Sequence, residues 1–483
     1  MNDPVLNLKP EKLWYYFNEI TKIPRPSKSE EKIAAYIVNF GESHHLETLT
    51  DDIGNILIRK SATAGKENSR MVVLQSHIDM VCEKNNDVVH DFETDPIKTW
   101  IDGEWLKAKG TTLGADDGIG VAAQLAFLDD NSIEHGPVEC LFTVDEETGL
   151  TGANELNPGF LKSKILLNLD SEDEGEIFIG CAGGRGTMAY YPYQSAVVPS
   201  HHTAFRIDVR GLQGGHSGDD IHRGLGNANK ILVRLLYSLH SSMNIAVSYM
   251  DGGKKHNAIP REAFAIFTVS SIKSSDILDQ VKLFDSIIKS ELKTVEKNVE
   301  ITCEPAEIPA VILNPNIQSK LLKSLYACPN GVIRMSDDLE DLVETSTNLA
   351  SIKTNVDQII AVSSQRSSVA SGLDDICNMI KCTFLLGGAK VEQGDGYPGW
   401  NPNVNSEILG IAKQAYTRLF HIDPKVKAIH AGLECGLIGE KYPDMDMISF
   451  GPTVKGVHSP DERLHIESVS KFWELLIEIM KSI

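Results

Sequence analysis

The sequence predicts an α/β protein, a three-layer domain into which a second, α+β domain is inserted, and three observations carry that prediction. Three continuous apolar runs of strand length end in ligating side chains: MVVLQS before His77 and Asp79, LFTV before Asp145, Glu146 and Glu147, and ILLNL before Asp170. Helical stretches alternate with these runs, the order expected of a sheet covered on both faces. After residue 186 the texture turns to stricter apolar-polar alternation, and after residue 397 it turns back. The expected boundaries are 1–186 and 398–483 for one domain, with 187–397 inserted between them.

Taken in order, a helix is expected over 10–21, followed by PRPSKSEE, where Ser27 and Glu30 have capping-box spacing. A second helix follows, with Ile33, Ile37 and Phe40 as its apolar stripe. TLTDDIGNILIRK reads as two strands around a turn, and WIDGEWLKA as a hairpin on Asp102-Gly103. TTLGADDGIGVAAQLAFLDD is a glycine-rich loop, carrying Asp116 and Asp117, that enters an apolar helix. Helical signals around Asn154 are weak.

In the insertion, TAFRIDV, EAFAIFTV, NVEITCE and QIIAVSS alternate as strands with one wet face, and helices are expected over 227–240, 275–293, 318–325 and 369–386. The two halves share a strand and helix order, which suggests a duplicated unit. Beyond GDGYPGWNP come a helix over 406–420, the strand MDMISFG, a polar loop with His458 and a closing helix over 466–479.

Composition narrows the function. Acidic residues outnumber basic ones by 67 to 46, a net charge of -21, which disfavours nucleic acid and anionic membrane surfaces as partners. Apolar runs fall short of the ~18 residues of a spanning helix, and MNDPVLNLKPEKLWYY lacks the basic-then-apolar form of a secretory signal, so a cytoplasmic protein is expected. The eight cysteines are scattered without CxxC pairs, which argues against a disulfide framework or a thiolate zinc site.

His77, Asp116, Glu146, Glu147, Asp170 and His458 offer nitrogen and oxygen donors without a thiolate, a set that suits zinc, manganese or cobalt in a hydrolytic site. Two divalent ions against three carboxylates and one hydroxide make a nearly neutral centre, as burial requires. Asp79, two residues beyond His77, is placed to hold the imidazole by its other nitrogen. Glu146 and Glu147 cannot both face one point from a regular strand, so the pair must lie past the strand end, one as ligand and one as base. Each element has a plainer use: Asp-Asp-Gly as a turn with Asp116 as helix cap, Glu-Glu as a solvated pair, Asp170 as a loop opener. The conjunction at three strand ends outweighs these. HExxH and Walker A patterns are absent, and GxSxG fails at Gly215-His216-Ser217-Gly218.

The ordered set SHIDM (76–80), GADDG (114–118), DEETG (145–149), NLDS (168–171), GGHSG (214–218), NAIP (257–260) and GVHS (456–459) resembles the M20 family of dinuclear zinc peptidases over essentially the full length. Gly118 stands where many members carry a lysine. The resemblance implies a three-layer zinc-peptidase catalytic domain with an inserted α+β lid domain, two Zn2+ per subunit with Co2+ or Mn2+ as substitutes, and a homodimer formed through the lid. Within the family the chain resembles members that cleave unblocked Xaa-His dipeptides such as carnosine. By the same resemblance His77 binds one metal and His458 the other, Asp116 bridges them, and Glu147 and Asp170 complete the shells. Asp79 orients His77, Glu146 is the general base, and the lid residue His216 donates to the oxyanion. Arg366 and Asn257 are candidates for the substrate carboxylate, and Gly432 for a backbone contact to substrate. His430 and Glu434 have a metal-like i, i+4 spacing, but Gly432 and Gly436 favour a substrate-contacting loop. An N-acyl amino acid deacylase on the same scaffold and a non-catalytic binding protein remain as alternative readings.

Overall fold

The computed structural model describes residues 4–483. It divides into two compact units: Met1–Gly180 with Trp400–Ala428 and Leu433–Ile483, and Cys181–Gly399 with Ile429–Gly432. Residues 181–186, 398–399 and 429–432, expected in the first domain, thus cluster with the second unit.

The first unit begins with helices α1 (Glu11–Ile20) and α2 (Glu31–Ser43). Leu13, Trp14, Phe17 and Ile20 form the buried stripe of α1, and Ile33, Ile37 and Phe40 that of α2. The expected capping box is not formed. The N-cap of α2 is Glu30 and makes no side-chain cap, while Ser27 donates instead to Asp79 Oδ2 at 2.7 Å. The helix starts later than the box requires, and the Ser27 hydroxyl is used as a donor to a charged acceptor, which makes a strong hydrogen bond.

Strands β1 (Glu47–Thr50) and β2 (Ile56–Lys60) form the antiparallel pair expected around 51–55. The next strand, β3 (Val72–His77), is buried along its whole length. A hairpin joins β4 (Thr99–Asp102) to β5 (Trp105–Ala108). Because Asp102 pairs with Trp105, its turn residues are Gly103 and Glu104, one place later than expected. Gly103 takes φ +61°, the left-handed conformation that such a turn demands.

Helix α3 (Ala115–Asp129) is apolar on nearly every face and correspondingly buried. After it come β6 (Val138–Thr143), the short helices α4 (Glu146–Gly149) and α5 (Thr151–Glu155), β7 (Ile165–Asn168) and β8 (Glu176–Cys181). The eight-stranded sheet has the order β1, β2, β6, β3, β7, Asp446–Ser449, β8, Lys425–Ile429. Its centre is parallel: β3 pairs with β6 and β7, and Asp446–Ser449 pairs with β7, all in the same direction. Residues just beyond β3, β6 and β7 therefore emerge at one edge, where α/β sheets carry their sites. Helices Glu407–Phe420 and Ile466–Ser482 complete the unit.

In the second unit a nine-stranded sheet shows the suggested duplication, with a different partition of the chain. One copy runs strand His202–Arg210, helix Ala228–Met243, strands Ala246–Gly252 and Ala263–Ser270, helix Ser274–Glu291 and strand Glu300–Ala306. The other takes Gly183–Pro192 as its first strand, then helix Pro315–Ala327, strands Val343–Thr354 and Gln358–Ser367, helix Ala370–Leu386 and strand Lys390–Gln393. Both are β-α-β-β-α-β with spatial order 4-1-3-2, joined where Ala246–Gly252 pairs with Val343–Thr354. The first copy is threaded between the first strand and first helix of the second, so a cut of the chain into halves misassigns Gly183–Pro192. Among the described residues no helix is long and apolar enough to cross a membrane.

Candidate functional site

In the first unit the candidate residues converge at the carboxyl edge of β3, β6 and β7. His77 is the last residue of β3 and has no exposed surface. Its Nε2 lies 3.0 Å from Asp116 Oδ1 and 3.6 Å from Asp170 Oδ1, and its Nδ1 lies 3.2 Å from Asp79 Oδ1. His458 sits in the loop between Val454–Lys455 and Arg463–His465, with φ +59° and a half-exposed side chain. Its Nε2 lies 3.2 Å from Asp116 Oδ2 and 2.9 Å from Glu147 Oε2. Asp116 thus turns one oxygen to each imidazole. The donor atoms of His77, Asp116 and Asp170 lie within 4.8 Å of one another, as do those of Asp116, Glu147 and His458, and those of His77, Glu146 and Glu147.

Local structure explains these directions. The chain leaves β6 at Thr143, passes Asp145 in a left-handed conformation (φ +49°) and starts α4 at Glu146. Glu146 and Glu147 are released from strand alternation, and both reach the cluster. Their amides are pinned by Asp79, whose Oδ1 accepts from Glu146 N at 3.0 Å and whose Oδ2 accepts from Glu147 N at 3.2 Å. In α3 the helical conformation starts only after Asp117, and the peptide between Asp116 and Asp117 is cis. Asp117, not Asp116, serves the helix, accepting from Gly120 N at 3.1 Å. Asp116 is left to the two histidines.

Two buried charges that sequence reasoning missed hold this loop. Glu462 accepts from Leu113 N at 2.7 Å, Gly114 N at 3.0 Å and Ala115 N at 2.7 Å. Arg25, fully buried, donates to Gly114 O at 2.5 Å, Asp79 O at 2.9 Å and Ile78 O at 3.2 Å. Gly114 takes φ +69°, and a Cβ there would stand 2.5 Å from Arg25 Nη2, so glycine is required on both counts. Nothing local marks Arg25 or Glu462, because their partners come from distant parts of the chain.

The electrostatics are those of acids crowded without a compensating base. Among the described residues the ion-pair partners of Asp116, Glu147 and Asp170 are histidines only. Burial pushes Asp170 up to about 7. Burial also holds Glu146 well above the carboxylate range, with Asp170, Glu147 and Glu434 adding to it against His77. Burial alone would depress His77, but Asp170, Asp116 and Asp79 outweigh it and raise the imidazole well above its usual value. Hydrogen bonds to Asp116 and Glu147 raise His458 to about 11. Glu147 Oε1 is buried with no hydrogen-bond partner. Crowded acids, a lone buried oxygen and an all-nitrogen and oxygen donor set fit divalent cations, which would take over the charge that protons otherwise supply.

The remaining candidates lie in the second unit. His216 pairs with Ala258 in a two-residue ladder, which sets Asn257 beside it, and Asn257 O accepts from Ser217 N at 2.9 Å. His216 Nδ1 lies 3.0 Å from Asp219 Oδ2, and its Nε2 lies 3.5 Å from Arg366 Nη2. Arg366 is buried, donates to Tyr397 Oη at 3.1 Å and leaves Nε without a partner. Gly432 abuts Tyr397, since a Cβ there would come within 2.8 Å of its ring. The i, i+4 reading of His430 and Glu434 fails. Helix Glu434–Lys441 begins at Glu434, so His430 lies outside it and the two share no helix face. His430 Nε2 lies 2.7 Å from Ser346 Oγ, and burial with the nearby Arg366 pushes its pKa down to about 3.

Residues 73–482 match the model of peptidase family M20/M25/M40. The chain is 46% identical to the cytosol non-specific dipeptidase of Escherichia coli (strain K12), covering 99% of this chain and 98% of the relative. The crystal structure of aminoacylhistidine dipeptidase from Vibrio alginolyticus superposes with a TM-score of 0.94 at 42% identity, over 100% of this chain and 98% of that one. Aminopeptidase PepT from Bacillus cereus, at 17% identity and a TM-score of 0.58 over 98% of this chain and 99% of that one, shares the fold. A family model and a full-length relative agree with the converging donors at the sheet edge: the chain belongs to peptidase family M20/M25/M40, a family of metal-dependent hydrolases.

Proposed function

We propose that this protein is a dinuclear zinc dipeptidase of the cytoplasm, acting on unblocked dipeptides with a preference for Xaa-His substrates such as carnosine. The observation that carries the reading is Asp116, with Oδ1 toward His77 and Oδ2 toward His458. Two relatives that match the full chain are named dipeptidases. One name is non-specific and the other aminoacylhistidine, so breadth of the side-chain preference is the part the test must rank.

His77, Asp116 and Asp170 would hold one ion, and Asp116, Glu147 and His458 the other. Zinc fits the donors, with cobalt or manganese as substitutes. When bound, the ions acidify water and polarise the scissile carbonyl. Glu146 takes the proton from the attacking water and returns it to the leaving amine as the C–N bond breaks. Asp79 keeps His77 oriented and, through their amides, holds Glu146 and Glu147. Arg366 with Asn257 is assigned to the substrate carboxylate, which a guanidinium matches bidentately. His216 is assigned to the oxyanion and Gly432 to a backbone contact with substrate. The assembly is a homodimer formed through 187–397, with no nucleic-acid or membrane partner.

The test is hydrolysis of carnosine, a dipeptide without histidine, a tripeptide and an N-acetyl amino acid by metal-stripped protein, before and after zinc addition. Zinc-dependent cleavage of both dipeptides and neither of the others is expected, faster for carnosine. Cleavage of the acetyl substrate alone would replace this reading with a deacylase.

A further inference from the structure

Glu434 has no exposed surface, and among the described residues it has no basic partner within ion-pair distance. It opens the helix Glu434–Lys441, and its Oε2 accepts from Gln75 Nε2 at 2.5 Å and from Thr143 Oγ1 at 2.8 Å, while Oε1 is buried without a partner. Gln75 Oε1 in turn accepts from Asn168 Nδ2 at 2.6 Å, and Asn168 Oδ1 accepts from Ser449 Oγ. The result is a buried polar row across β6, β3, β7 and Asp446–Ser449, four neighbours in the sheet.

The row has a fixed relation to the candidate centre. Gln75 stands two residues before His77, Thr143 two before Asp145, and Asn168 two before Asp170. Within β3 side chains two apart share a face, so Gln75 lies one step beneath His77, while Thr143 and Asn168 are the last residues of β6 and β7, from which the chain runs on to Glu146 and Asp170. Most other positions in these strands are apolar, the exceptions being Ser76 against Gln124 and Glu139 against Arg59, and apolar side chains would fill this layer without the cost of burying polar groups. The row costs stability where the sheet has cheaper choices, and it is placed where strand ends must be fixed to a fraction of an ångström.

We propose that Glu434 is a positioning residue for the metal centre. The backbone ladder from the pair Val72 and Val138 to the pair His77 and Thr143 sets the register of β3 and β6, and Gln75 Nε2 also donates to Thr143 Oγ1 at 3.2 Å. By accepting from both side chains, the Glu434 carboxylate braces the ends of these strands, from which His77 and Glu146 project. A carboxyl oxygen has the two lone pairs that the bonds from Gln75 and Thr143 use. This rests on the reading of His77, Asp116 and Asp170 as metal ligands.

The experiment compares Glu434→Ala, Glu434→Gln and Thr143→Val with the unsubstituted protein. For each, zinc and cobalt affinity are measured by equilibrium dialysis, the visible absorption of the cobalt-loaded protein is recorded, and kcat and KM are measured on a dipeptide. Glu434→Ala is expected to weaken metal binding by about 10-fold or more, to shift the cobalt bands and to lower kcat while KM stays within about 3-fold. Glu434→Gln keeps an oxygen for Gln75 and Thr143 and is expected to restore most of each. Thr143→Val removes one donor and keeps the sheet apolar, so it carries the test if Glu434→Ala does not fold, with a shift of about 3-fold in affinity. Wild-type cobalt bands and affinity in Glu434→Ala, or in Thr143→Val if that variant alone folds, would overturn the proposal whatever the melting temperature. So would a glutamine variant as impaired as the alanine one. If the unsubstituted protein binds neither ion, the metal reading itself fails and this inference falls with it.

Discussion

The hydroxyl of Ser27 donates to Oδ2 of Asp79 at 2.7 Å, the same oxygen that accepts the Glu147 amide, while Oδ1 holds the Glu146 amide and faces His77. One carboxylate thereby ties the residue ahead of α2 to the end of β3 and the start of α4. Removing the hydroxyl costs about 1 kcal/mol of hydrogen bonding and leaves α2 without loss of a cap. Ser27→Ala should therefore lower zinc affinity and kcat several-fold, with helix content by circular dichroism unchanged.

Glu146 is held through its backbone, the amide donating to Asp79 and the carbonyl accepting from Leu150 N, while its side chain belongs to the His77 and Glu147 group. Glu146→Ala should leave bound zinc near the unsubstituted stoichiometry by elemental analysis and reduce kcat by ~10²-fold or more. Retained turnover would remove the general-base assignment.

Glu462 should be the costliest position around the centre. Its carboxylate accepts three amides between Leu113 and Ala115 at 3.0 Å or less, and it is buried beside the Arg25 charge. Glu462→Ala orphans those amides and leaves Arg25 less compensated, a change on the order of 3 kcal/mol or more. Denaturant unfolding of the metal-free protein measures it, and a loss under 1 kcal/mol would contradict this reading.

Metal affinity should rise with pH. In the metal-free protein burial holds Asp170 at about 7, so below that pH a ligand proton must leave before an ion can bind. For this raised carboxyl the stabilising proton is present below its unfolded pKa and is lost as pH rises through about 7, the direction that frees the ligand. Zinc affinity should fall by about tenfold per pH unit below 7, with matching proton release in calorimetry in buffers of different ionisation enthalpy.

If His216 acts across a dimer, a His216→Ala subunit mixed with a His77→Ala subunit should regain part of the wild-type activity. Recovery from subunit exchange supports transfer between subunits. No recovery, with both variants dimeric by sedimentation, would assign His216 to its own chain or to no catalytic role.

The chemistry at the strand ends was legible from local pattern. Apolar runs that stop at His77, Asp145 and Asp170 show that the polar residues lie beyond a buried sheet, and adjacency alone shows that Glu146 and Glu147 must sit past the strand. Other relationships needed geometry. The spacing of Ser27 and Glu30 is that of a capping box, but Glu30 itself became the N-cap and the Ser27 hydroxyl donates to Asp79, 52 positions away. The spacing of His430 and Glu434 is that of a shared helix face, but the helix starts four residues too late. The duplication in the second unit was visible as a repeated order of elements. Its true partition was hidden because Gly183–Pro192 pairs with Gln358–Ser367, a partner far along the chain.

The sequence by itself determined the main buried strands and helices of the first unit, the candidate donors and the family, because hydrophobic period, ligand chemistry and ordered motifs are properties of short stretches. Only the tertiary structure decided how Asp116 divides its oxygens between His77 and His458, and that Arg25, Glu462 and Glu434 hold the surrounding backbone. The physical reason is that a buried charge is tolerated only where several donors or acceptors meet it, and those partners come from segments that folding alone brings together.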